Sequence, residues 1–171
     1  MSSSPGGSGG FDISKLSRGT QVAGVAAIVL LISIFLPWVK GEATILGSTQ
    51  SASDSGTAYK LGWLALLCAI GVLVVIGLEL FAPQVTLPAA PSLIILVLGA
   101  IAIFSTGWHV LFLPDGADQV NNQASELNQA LNDAAGDEAF SASISRGFGV
   151  FVALIAAIGV TVGGYLRLNS D

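Results

Sequence analysis

Few residues of this sequence are placed to do chemistry. Glu79 is the one acid inside a long apolar run. A carboxylate in hydrocarbon can hold a proton or a cation. Glu79 also stands one helical turn from the end of its run, where it can reach headgroup water or pair with Arg18 or Arg167, and that structural role is the simpler reading. His109 is the single histidine. Its charge can change near neutral pH, but beside Trp108 at the end of an apolar run it reads first as an interface residue. Asp115, Asp118, Glu126, Asp133, Asp137 and Glu138 share one polar stretch without the spacing of a calcium loop. A solvated acidic face is the expectation.

Other chemistries are excluded by residue type. A single cysteine, Cys68, cannot run an internal thiol–disulfide relay, and a single histidine cannot make a bis-histidine haem site within one chain. Ser33, Ser105 and Thr106 have no base in prospect except His109. No metal cluster or phosphate-binding glycine loop stands out. The chain therefore reads as not an enzyme and without a cofactor. A net charge of −5 with no basic patch argues against nucleic acid.

The elements that must position these residues are four apolar runs, at about 19–39, 60–81, 90–113 and 146–167. Hydrophobic residues make up 53% of the chain and charged residues 10%, against about 25% charged in a soluble domain. At about 1.5 Å per residue each run can cross a hydrocarbon core of roughly 30 Å. The predicted fold is an all-α membrane protein, one four-helix transmembrane bundle over residues 19–168. Residues 1–18 precede it: a Ser/Gly/Pro leader with nothing to bury, expected to be disordered, then an entry segment that can lie along the interface. The first run is longer than a signal h-region and ends at Pro37-Trp38 rather than a small-x-small site, so it is read as retained. Trp38 is expected at headgroup depth.

Two polar loops, 40–59 and 114–145, connect the spans on one side. In the first, only Ala43-Thr44-Ile45-Leu46 reads as a short strand. In the second, Val120, Ala124, Leu127, Leu131 and Ala134 fall on one stripe of an amphipathic helix, with Asp118 as N-cap and Gly136 as stop. Leu127 and Leu131 are expected to hold that helix against the bundle mouth or the bilayer surface. Gly159 and Gly163, with Ala23 and Ala27, mark close helix packing, within the bundle or between copies.

Ile34-Phe35-Leu36-Pro37 echoes Leu111-Phe112-Leu113-Pro114, and Lys60-Leu61-Gly62-Trp63 echoes Arg146-Gly147-Phe148, a hint of a repeated hairpin. Basic residues are evenly split: Lys15, Arg18 and Arg167 on one side, Lys40, Lys60 and Arg146 on the other. Eight of the eleven acids and all three tryptophans lie on the loop side. With the larger loops also on that side, both termini are placed in the cytoplasm.

Asp12, Ser14, Leu16, Arg18 and Gly19 lead into a span ending Phe35-Leu36-Pro37-Trp38. In these features the first forty residues resemble a group of small uncharacterised bacterial membrane proteins with four spans. The resemblance implies the architecture and no activity. The layout is also similar to claudin-like and MARVEL-type four-span proteins, although the first loop lacks the paired cysteines of the claudin signature. The functional expectation is a non-enzymatic accessory or interaction protein of the cell (plasma) membrane. Its partners are the lipid bilayer and another membrane protein or a second copy. Two alternatives stay open: a small carrier or channel subunit using Glu79, and a lipid- or quinone-binding protein.

Overall fold

The computed structural model describes residues 16–45, 47–82, 84–114, 116–135 and 140–170. The expectations for the leader, Leu46 and Gly136, and the acids Asp115, Asp137 and Glu138, lie outside those residues. In chain order the elements are α1 (Arg18–Ser33), β1 (Pro37–Ile45), β2 (Ser48–Ser55), a 3₁₀ turn (Gly56–Ala58), α2 (Lys60–Phe81), α3 (Pro91–Leu111), α4 (Ala117–Ala135), β3 (Phe140–Arg146) and α5 (Phe148–Leu168).

The four apolar helices close into a ring in the order α1, α2, α3, α5, each packed chiefly on its two neighbours. Three of them, α2, α3 and α5, are long and apolar enough to cross a membrane; α1 is shorter, at 16 residues. The packing is inside-out compared with a soluble bundle. Ala23, Ala27, Ala65, Ala69, Ala102, Ala153 and Ala157 are buried, whereas Val25, Leu67, Phe104, Leu111 and Ile155 are each more than 60% exposed. In water each large exposed side chain forgoes about 1.5–3 kcal/mol of burial. In lipid that cost vanishes, and small interior residues let the backbones approach.

The first span ends earlier than its hydropathy suggests. Helix α1 stops at Ser33, not Val39, and Pro37-Trp38-Val39 already belong to β1. Proline biases the residue before it away from helix. The orphan Ser33 carbonyl at the helix end accepts the Trp38 indole N–H at 3.0 Å and the Leu36 N–H at 3.2 Å. Trp38 is therefore not an exposed ring at the bundle surface: it is 1% exposed, enclosed by the protein itself.

The polar loops are not loops throughout, which corrects the all-α expectation. Strand β1 is the centre of a three-stranded antiparallel sheet ordered β2-β1-β3. The hairpin between β1 and β2 turns at Gly47, whose φ of 81° suits a residue without a side chain. Val39, Gly41, Ala43 and Ile45 share one sheet face with Ser48, Gln50, Ala52 and Asp54 of β2 and with Phe140, Ala142, Ile144 and Arg146 of β3. Lys40, Glu42 and Thr44 share the other with Thr49, Ser51, Ser53, Ser141, Ser143 and Ser145. β1 and β3 thus carry one largely apolar face, β2 is polar on both faces apart from Ala52, and α4 packs alongside β3. The echoed helix ends Phe35-Leu36-Pro37 and Phe112-Leu113-Pro114 lead into different elements, a strand in one case and α4 in the other.

Candidate functional site

At the end of the bundle that carries both termini, Glu79 pairs with Arg167. The Arg167 Nη1 donates to Glu79 Oε2 at 2.6 Å, and Nη2 donates to Oε1 in a bidentate fork. Nη1 also reaches the Thr20 hydroxyl at 3.3 Å. Three helices, α1, α2 and α5, are tied by this one guanidinium. A cavity of about 590 Å³ adjoins Glu79 under the α2–α3 connection, lined by Leu78, Thr86, Leu87 and Pro91.

His109 lies at the opposite end of the bundle, as the topology requires. It stands edge-on to Trp38 at 5.2 Å and to Tyr59 at 5.0 Å between ring centroids. Its Nδ1–H donates to the Ser105 carbonyl at 3.2 Å. Trp108 turns away and stacks with Phe104 and Phe112 instead. Ser33, Ser105 and Thr106 do not donate to the histidine. Ser33 donates to the Leu30 carbonyl at 2.6 Å, Thr106 to Ala102 at 2.8 Å and Ser105 to Leu61. These bonds satisfy buried hydroxyls on helix carbonyls. Tyr59 is pushed above its ordinary value of 10.0, by burial first and by the charge of Asp54 second.

The small residues are consumed within the chain. A Cβ at Gly163 would sit 2.5 Å from the Ala23 nitrogen, and one at Gly159 would sit 3.0 Å from the Ala26 methyl. Outward of that contact, α1 and α5 leave an apolar groove of about 550 Å³ between Val22, Val25, Val29, Val152 and Ile155.

The polar layer beyond His109 is held differently from the expectation. Among the described side chains of α4, Ala117 and Ala124 are the buried positions, while Val120 and Leu127 are close to half exposed. The docking stripe is rotated from the apolar one, and Leu127 does not carry it; Leu131 is partly buried. The reason is the partner. Helix α4 meets the edge of β3, a row of backbone polar groups that must be satisfied. Asn121 does this: its Oδ1 accepts the Ile144 N–H at 2.7 Å and its Nδ2 donates to the Ile144 carbonyl at 3.2 Å. One turn pair further along the same face, the Asn128 amide oxygen is buried without a partner among the described residues. Asp118 falls one residue inside the helix start rather than capping it. Val120 overlooks a groove of about 390 Å³ floored by Gly41, Ala43, Ala52 and Ala142. Sequence reasoning missed Asn121, and it read Trp38 as an interface ring rather than a buried anchor. The Phe140-Ser-Ala-Ser-Ile-Ser alternation was the signal for β3.

Among the described residues, no group of three or more His, Cys, Asp or Glu is arranged to hold a metal ion. No family model and no curated protein matches this chain.

Proposed function

We propose that this chain is a four-span protein of the cell membrane. Both termini lie in the cytoplasm, and the sheet with α4 is displayed outside as a non-enzymatic interaction module. One observation carries the reading. The bundle supports a folded polar layer whose β2 is exposed along almost all its length. That layer is anchored to the helices by Trp38 and by the Trp38–Gly147 backbone bond of 2.8 Å. The large outward side chains of the helices support a lipid environment. Helix α1 is short, but Ile34, Phe35 and Leu36 extend its apolar length before β1 begins. The Glu79–Arg167 fork supports a structural role for that carboxylate over a carrier or channel role.

The test is purification from native membranes in mild detergent, with mass spectrometry of everything retained. A stoichiometric protein partner is the expected result. Recovery of the chain alone with one tightly held small molecule would replace this reading with ligand binding or transport.

A further inference from the structure

The two edges of the sheet are treated in opposite ways. The β3 edge is closed by α4 and by the Asn121 amide, which takes both backbone groups of Ile144. The β2 edge is open. Because Ile144 turns its N–H and C=O away from β1, its partner Gly41 must turn its own toward β2, where it pairs with Ala52. Ala52 then points inward. By alternation Thr49, Ser51 and Ser53 direct their N–H and C=O groups outward, away from β1. Their register with β1 is regular from Ser48 to Asp54.

Edges of this kind are usually blunted by proline, lysine, a bulge or a covering element. Residues 48–53 contain no proline and no charge, and apart from Gln50 their side chains are small. Each is exposed.

We propose that the β2 edge receives an extended segment of another protein as a fourth strand. Main-chain bonds to Thr49, Ser51 and Ser53 would hold it. The segment's chemistry follows from what surrounds the edge. Both faces of β2 are polar apart from Ala52, so the incoming strand is held by main-chain pairing and by β-forming side chains rather than by apolar anchors. In sequence this side of the chain holds eight acids against Lys40, Lys60 and Arg146, and Asp54 sits at the end of β2, so the segment is basic. A second copy of this chain is disfavoured by the same count, since edge-to-edge pairing would bring two such acidic layers together. The proposal rests on the interaction reading above and names its surface.

The experiment uses the full chain in nanodiscs and a labelled synthetic peptide, Lys-Val-Thr-Val-Thr-Val-Thr-Lys, read by fluorescence anisotropy. Saturable binding is expected. It should fall about tenfold in Ser51→Pro, which removes one outward N–H and no bond to β1. It should fall similarly for a peptide N-methylated on alternate residues of its pairing edge, which tests the wild-type chain and needs no variant to fold. Replacing both lysines with glutamate should weaken binding further at low salt than at high. Absence of saturable binding, equal binding by the N-methylated peptide, or a wild-type dimer that Ser51→Pro disperses would each overturn the proposal. A native partner recovered alongside such a failure would leave the interaction reading standing on another surface.

Discussion

Trp38 joins the bundle to its polar layer, and its removal should be the most damaging single change at that end. Its side chain is 1% exposed, between the end of α1, the 3₁₀ turn and α3. A Cβ at Gly56 would lie 2.6 Å from the indole, so the turn closes directly on the ring. Truncating a buried aromatic side chain to alanine costs about 3–5 kcal/mol. The lost hydrogen bond adds only about 1 kcal/mol, because the Ser33 carbonyl keeps the Leu36 N–H. Trp38→Ala should therefore destabilise by about 4–6 kcal/mol. Trp38→Phe, which keeps an edge for His109 and loses the N–H, should cost about 1–2 kcal/mol. Unfolding by sodium dodecyl sulfate in mixed micelles, followed by circular dichroism, measures both. Trypsin cleavage at Lys40 should accelerate in the alanine variant as β1 loses its anchor. If Trp38→Ala costs under about 1 kcal/mol, or phenylalanine is as damaging as alanine, the reasoning about this anchor is wrong.

The remaining expectations follow from single contacts. Gly163→Leu should disrupt the α1–α5 contact and lower stability by more than about 3 kcal/mol, while Gly159→Ala should cost under about 1 kcal/mol, both by the same mixed-micelle unfolding. The double variant Glu79→Gln with Arg167→Met should cost less than the sum of the two single variants, by a coupling of about 1–3 kcal/mol in a double-mutant cycle; a coupling near zero would deny the fork a structural role. Asn121→Ala should leave the Ile144 amide without its acceptor, cost about 1–3 kcal/mol and speed hydrogen exchange at that amide more than at Ser143.

Hydrophobic runs of twenty residues without charge admit little besides spanning or fully buried helices, so α2, α3 and α5 were legible to within a few residues. The end of α1 was not. Phe35-Leu36-Pro37-Trp38-Val39 is equally apolar as helix and as buried strand, and only the pairing of β1 with distant β3 decides between them. Strand β2 carries Ser, Thr, Gln and Ala, residues with little intrinsic β preference apart from Thr49. It becomes a strand because the Gly47 turn folds it back on β1. The candidate site was obscured by the same cause. Helix α4 was readable from its period, but its docking face was misassigned to Leu127, because an apolar stripe is drawn toward apolar surface and this helix meets a strand edge. The Glu79–Arg167 fork was legible by a simpler route, since topology puts both residues at one end of the bundle.

The central claim is that the sheet and α4 are displayed on one side of a membrane and the termini lie on the other. Cys68 is the sole cysteine and is buried, so Cys68→Ala supplies a clean background for single-cysteine labelling. With Ser51→Cys or Ser170→Cys added, a membrane-impermeant maleimide is applied to intact expressing cells. The account predicts labelling at position 51 in intact cells and at position 170 only after permeabilisation. Labelling of both positions in intact cells, or the reverse pattern, would contradict it.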